Sequence, residues 1–279
     1  MKIGIVGLGL IGGSLAKALK FNTEHTVLGW NRTADVVLKA KLLGAIDGEL
    51  TDAEIADCDM LICALYPQLT VDFVLKYAPS LKKGAIVLDA CGVKRVICEP
   101  LWNAAKAHGF VFYGAHPMAG LHMSGFSYAN VDMFQNASMI LVPPEDADIA
   151  QMAMLKDLFL SIGFTNIQMS TPEEHDRIIA YTSQLAHIVS NAYVKSPEAQ
   201  VHNGFSAGSY KDLTRVAKLN ADMWTELFLD NDDNLLREVE GIIAHLQEYA
   251  DALRNRDAET LHALLKAGSD RKEEIDGKG

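Results

Sequence analysis

Short apolar runs alternate with amphipathic stretches from residue 1 to about residue 170. Lys2–Val6, Thr26–Trp30, Met60–Leu65, Ala85–Asp89, Phe110–Ala115, Ser138–Val142 and Thr165–Met169 read as strands. Stretches such as Ile11–Lys20 and Val71–Tyr77 read as helices between them. Alternation of this kind predicts an α/β fold with a Rossmann-type doubly wound, mainly parallel sheet covered on both faces. Ligands of such sheets collect beyond the carboxyl ends of the strands, so the residues just after each strand carry the chemistry.

Past Thr171-Pro172 the strand signals stop. Pro172 suits a first helical turn, and Glu173 and Glu174 complement the helix dipole there. The rest reads as helix, and Leu235, Val239, Ile242, Leu246, Tyr249 and Leu253 recur at three- and four-residue steps as one apolar stripe. The expected organisation is a dinucleotide-binding domain over 1–170 and an all-helical domain over 171–279. The stripe either buries against its own domain or forms a dimer seam. The polar tail Ser269–Glu274, running on to Gly277-Lys278-Gly279, has the composition of a disordered segment.

Gly7-Leu8-Gly9-Leu10-Ile11-Gly12 follows a strand and opens a helix. Gly7 permits the tight turn, Gly9 lets backbone approach a pyrophosphate, and Gly12 allows close helix–sheet packing. The first-turn N–H groups at Leu10 and Ile11 supply the positive end of the helix dipole for the phosphates. The second strand ends at Trp30-Asn31-Arg32-Thr33, where an NAD-specific site usually carries an acid about 20 residues after the glycines. Asn31 has no charge to repel a 2′-phosphate and Arg32 can pair with one, so NADP is favoured over NAD. Leu65, Tyr66 and Pro67 follow the next strand and join the cofactor-lining candidates; Pro67 serves equally well as a plain helix start.

Composition narrows the partners. At 49% hydrophobic and 22% charged the chain is globular, and its formal charge of −11 argues against nucleic acid or an anionic membrane. An anionic small molecule must then be held by local donors against the overall field. Cys58, Cys63, Cys91 and Cys98 have no metal-ligand spacing, so no metal is expected and reduced thiols in a cytoplasmic protein are.

The remaining motifs are Asp89-Ala90-Cys91-Gly92-Val93-Lys94, then His116-Pro117-Met118-Ala119-Gly120, His175-Asp176, Ser183-Gln184-Leu185-Ala186-His187, and Lys211-Asp212-Leu213-Thr214-Arg215. Their succession resembles the prephenate/arogenate dehydrogenase family, from the glycine turn to at least Trp224. The resemblance implies oxidative decarboxylation of prephenate or arogenate in tyrosine biosynthesis and a homodimer formed through the helical domain. It makes His116 the catalytic histidine, has Arg215 grip the ring carboxylate, and puts His187 in the substrate pocket. Gln184 and Gly92 fall where the family commonly has histidine and serine, so the hydroxyl-binding network departs from the family's. Lys94 either approaches the substrate or salt-bridges at the surface.

The chemistry suits these residue types. A ring hydroxyl losing hydride and proton needs a base near neutral pKa, which histidine provides. A departing carboxylate needs a rigid bidentate clamp, which arginine supplies. Two other readings compete: a different two-domain NADP-dependent hydroxyacid or imine dehydrogenase, and an NADPH-binding sensor without catalysis.

Overall fold

The computed structural model describes residues 1–121 and 123–277. Its α/β part begins β1 (Lys2–Val6), α1 (Leu10–Asn22), β2 (Thr26–Trp30), α2 (Ala34–Leu42), β3 (Gly48–Glu49), α3 (Asp52–Asp57), β4 (Met60–Cys63), α4 (Pro67–Tyr77) and β5 (Ile86–Asp89). It continues through α5 (Arg95–His108), β6 (Val111–Pro117), β7 (Ser138–Val142), α6 (Ile149–Ser161) and β8 (Asn166–Met169). Among the described residues eight strands form one sheet in the order β3-β2-β1-β4-β5-β6-β7-β8. Every pairing is parallel except β6 with β7. Two apolar clusters cover the two faces, one around Ile3, Ile5, Leu15 and Phe159, the other around Val6, Val87, Ile97 and Phe112. The expected Rossmann-type fold is present.

Two local differences have physical causes. β3 is a two-residue strand, too short to give a periodic signal. β6 runs on through His116 and Pro117, because antiparallel β7 pairs Gly114–Pro117 with Met139–Val142. His116 therefore sits inside a ladder and not in the loop beyond a strand, which fixes its backbone on one side.

The helical region holds α7 (Pro172–Ile179), a wider π turn over Ala180–Leu185, α8 (Ala186–Tyr193), α9 (Gly208–Thr214) and α10 (Ala221–Leu229). Residues 1–231 make one compact unit and 232–279 a second. The second contains α11 (Asp232–Asn255) and α12 (Ala258–Asp276), turned back at Arg256 and capped by Asp257, which accepts from Thr260 N. Leu246 and Leu253 of the predicted stripe are exposed. The tail expected to be disordered is helical to Asp276. Lys266–Asp270 and Lys272–Asp276 at i,i+4 and Arg271–Glu274 at i,i+3 line it, each pair adding roughly 0.2–0.5 kcal/mol. Lys278 and Gly279 lie outside the described residues. No helix among them is long and apolar enough to cross a membrane.

One buried ion pair ties the strand ends together. Asp89 closes β5 and accepts from Cys91 N (2.9 Å), Ala115 N (2.8 Å) and Lys94 Nζ. Lys94 has no exposed side-chain surface, and its ammonium also donates to Cys91 O and Val93 O, both at 2.9 Å. Burial alone would lower the Lys94 pKa, but the Asp89 carboxylate outweighs it and the net shift is upward. Replacing Lys94 with Met should leave that carboxylate buried without its counter-charge and cost roughly 3–5 kcal/mol. Urea unfolding checks this; a loss below about 1 kcal/mol would show that the backbone N–H groups alone hold Asp89.

Candidate active site

The glycine turn has the form of a phosphate cradle. Gly7 has φ +90°, and a Cβ there would stand 2.5 Å from Ala64 O. A Cβ on Gly12 would meet Gly7 O at 1.9 Å, so the first turn of α1 packs directly on the loop. Over Gly9, the residue preceding α1, nothing lies within 4 Å, and Leu10 and Ile11 follow it half-buried. Open backbone above a helix N-terminus fits a dinucleotide's pyrophosphate. The Asn31 carboxamide oxygen accepts from Leu8 N at 3.1 Å, so this side chain braces the loop. Arg32 and Thr33 are exposed, with Thr33 immediately before α2. Leu65 is half-buried and its carbonyl accepts from the Cys91 thiol at 3.3 Å; Tyr66 is exposed, and buried Pro67 opens α4. Burial pushes that thiol up to about 12, which makes it an inert packing group.

At the carboxyl end of the neighbouring strands, His116 joins a buried polar chain. Its Nδ1 lies 2.9 Å from His175 Nε2, and His175 Nδ1 lies 2.7 Å from Asp176 Oδ1. Asp176 also accepts from Lys94 N (2.8 Å), Arg95 N (2.9 Å) and Arg95 Nε (3.4 Å), which docks α7 on the start of α5. Burial, then the neighbouring His175 and Lys94, hold the His116 pKa well below the ordinary imidazole value. His175 is lowered by burial despite Asp176. Burial works to raise Asp176, but the hydrogen bonds from His175 and Arg95 N prevail and its pKa falls.

The other face of His116 is turned to Gly92. A Cβ built on Gly92 would lie 4.0 Å from His116 Nε2 and 3.5 Å from the nearer Leu227 methyl, both ordinary contacts. Gly92 is thus beside His116 Nε2, with room for a small side chain. Lys94 is not: its N–H groups are engaged inside the fold, which corrects both the substrate-facing and the surface-pair expectation. Gln184 is likewise turned inward. It lies in the π turn, donates to Leu227 O at 2.9 Å and accepts from Asn231 Nδ2 at 2.8 Å. Asn231 also donates to Asp176 O at 2.8 Å, so Gln184 is tied through Asn231 to the backbone of α7.

His187 packs against Trp224, with ring centroids 3.9 Å apart and the planes tilted by 44°, and its Nδ1 donates to Val216 O at 3.0 Å. That leaves Nε2 as the acceptor nitrogen. Its pKa is lowered by burial and by the nearby Arg215, against the opposing Val216 carbonyl. Arg215 follows α9 and is exposed. α10 joins these parts: Leu227 covers Gly92 and receives Gln184, and Trp224, one turn earlier, carries His187.

The His175-Asp176 pair had no role in the sequence reading. A signal was present, because Pro172, His175, Asp176 and Ile179 are the buried positions of α7, at the spacing of a core stripe. Two ionisable residues in such a stripe need buried partners. Among the described residues no cluster of His, Cys, Asp and Glu has the form to hold a metal ion.

The chain is similar to known proteins over most of its length. The model of the prephenate dehydrogenase nucleotide-binding domain matches residues 15–167, and that of the prephenate dehydrogenase dimerization domain matches residues 171–267. A prephenate dehydrogenase of Lactococcus lactis subsp. cremoris is 30% identical over 275 residues, covering 96% of this chain and 75% of that protein. The crystal structure of Synechocystis arogenate dehydrogenase is 29% identical, with a TM-score of 0.82 over 99% of this chain and 100% of the other. Prephenate dehydrogenase from A. aeolicus, solved with hydroxyphenyl propionate and NAD+, is 28% identical, with a TM-score of 0.86 over 99% and 98% of the two chains.

The space beside Gly92 gives a direct test. Gly92→Ser should fold normally and bring a hydroxyl to His116 Nε2, raising kcat/KM about 2- to 10-fold, the worth of one hydrogen bond of roughly 0.5–1.5 kcal/mol. Steady-state kinetics with prephenate and arogenate check it. Unchanged kcat/KM would mean that this space does not face the reacting group.

Proposed function

The chain belongs to the prephenate dehydrogenase family, and from that premise we propose that His116 is the base, and Arg215 the carboxylate clamp, of its oxidative decarboxylation of prephenate or arogenate. The reaction yields 4-hydroxyphenylpyruvate or tyrosine. When bound, the pyridine nucleotide provides the acceptor for the hydride leaving the ring carbinol carbon. His116 Nε2 receives the hydroxyl proton at the Gly92 face. Arg215 orients the ring carboxylate that leaves as CO₂, and His187, fixed by Trp224 and Val216, offers Nε2 to a donor on the substrate. Gly7, Gly9, Gly12 and the first turn of α1 hold the dinucleotide by its phosphates. The observation that carries the reading is the orientation of His116, with Nδ1 engaged by His175 and Nε2 toward the small Gly92.

The finer assignments belong to the same proposal. NADP is preferred to NAD, supported by Arg32 standing exposed at the end of β2 and by Asn31 in place of an acid. Residues 1–170 bind the cofactor, while 171–279 bind the substrate and make a homodimer. The dimerization-domain match and the exposed Leu246 and Leu253 support that division. The buried, reduced cysteines suit a cytoplasmic location.

His116→Asn should lower kcat by about 10²–10⁴-fold, the range of general acid–base catalysis, with cofactor affinity retained. Arg215→Ala should raise KM for either substrate about tenfold or more through loss of a charge-assisted contact. Stopped-flow kinetics and fluorescence titration of the dinucleotide separate the two effects; a His116→Asn enzyme with normal kcat removes His116 from the chemistry. The base must be neutral to act, and burial holds its pKa down. kcat/KM in the wild type should therefore persist below pH about 6.5, the ordinary imidazole value, and fall only as pH drops through the lowered pKa. Arg32→Ser should weaken NADP while sparing NAD; equal loss with both dinucleotides would remove Arg32 from 2′-phosphate recognition.

A further inference from the structure

His175 and Asp176 are buried and lie behind His116 as seen from Gly92; the reading above uses His175 only to orient His116 and gives Asp176 no part. We propose that they form a positioning unit that sets the tautomer of His116 and takes up the charge it acquires; this rests on the reading of His116 as the base. The argument starts from Asp176. Its two oxygens accept from His175 Nδ1, Lys94 N, Arg95 N and Arg95 Nε. A carboxylate with that many donors stays ionised and can only accept. His175 must then carry its proton on Nδ1, which leaves Nε2 a lone pair. Across 2.9 Å that lone pair requires the proton of His116 to be on Nδ1. His116 Nε2 is consequently the unprotonated nitrogen, and it is the one beside Gly92.

The same chain moves charge away from the substrate. As the substrate O–H bond breaks, an N–H bond forms at His116 Nε2. The proton on His116 Nδ1 passes to His175 Nε2, so His116 is neutral again and His175 becomes an imidazolium beside the Asp176 carboxylate. No proton is gained or lost in the transfer. The surrounding charges decide whether this is favourable. Lys94 opposes positive charge on both imidazoles, and Asp89, its ion-pair partner, offsets part of that at His175. Arg95 shares Asp176 with His175. Among the described residues Asp176 is therefore the one anion in hydrogen-bond contact with the relay, and without it the half-buried His116 and buried His175 would both resist a proton. An apolar pair would fill the same volume without the desolvation cost of a buried carboxylate, so packing alone does not explain these residues.

Asp176→Asn tests the tautomer. With the amide oxygen kept on the two Arg95 donors, its NH2 would face His175 Nδ1 and donate to it, moving the His175 proton to Nε2 and the His116 proton to Nε2 as well. Nitrogen-15 spectra of histidine-labelled protein should show His116 as the Nδ1–H form in the wild type and the Nε2–H form in the variant. kcat should fall about 10²-fold or more, with dinucleotide affinity unchanged. Residual activity should have its acid limb at lower pH, because the anion that favours the imidazolium is gone. His175→Gln supplies a carbonyl that still accepts from His116 Nδ1, so it should keep the tautomer and at least about ten times the kcat of His175→Leu. That comparison stands even if Asp176→Asn does not fold. An Nε2–H proton on wild-type His116, an unmoved acid limb in Asp176→Asn, or equal losses in the two His175 variants would overturn the proposal. If the wild type turned over neither prephenate nor arogenate while the tautomer still switched, the positioning unit would stand and the functional reading would fall.

Discussion

Asp89 has to be ionised, buried and fully hydrogen-bonded at once, and the active end of the sheet is arranged around that requirement. Its carboxylate holds the backbone at Ala115, one residue before His116, and at Cys91, one residue before Gly92. His116 and the small Gly92 beside its Nε2 are thus referenced to a single anion. Lys94 neutralises that anion from below, and the chain then turns into α5, where its own backbone N–H and that of Arg95 reach Asp176. Two carboxylates, one at each end of a seven-residue stretch, hold β5, β6, α5 and α7 in a common frame.

The same arrangement bears on how an acidic protein would hold the anionic ligands proposed for it. With a formal charge of −11, attraction has to be local. Lys94 is electrically engaged by Asp89 and adds little outward field. In the proposed reading, what remains for an anion is directional: backbone N–H groups at the glycine turn and the exposed Arg215 guanidinium. Donors of this kind act over a few ångströms and select by geometry more than by net charge.

The layers, the glycine turn and the change to helix near Pro172 were legible because each rests on a local or periodic signal. A two-residue β3 has no period to read. The reversal of β7 is invisible because an apolar run looks the same in either direction, and that reversal is what carries β6 through His116. Lys94 and Gln184 show a different limit. Both are polar residues at positions where polar residues serve ligands, and both turn inward to partners that only the fold supplies, Asp89 for one and Asn231 with Leu227 for the other. His175 and Asp176 stood in plain view on the buried stripe of α7; their meaning depended on His116, some 60 residues earlier, being brought to 2.9 Å.

The π turn over Ala180–Leu185 has a consequence for how this helix tolerates change. Twelve positions separate His175 from His187, which in an unbroken α-helix would rotate the second about 120° away from the first at roughly 100° per residue. A π turn accommodates about one extra residue, and the effective offset drops to about 20°. The bulge therefore works as a phase corrector, keeping two imidazoles on one side of a single rod. Loss of one residue there would let the segment close as ordinary α-helix at the same offset of about 20°, whereas a deletion in α8, which holds no extra residue, would rotate everything beyond it by about 100°.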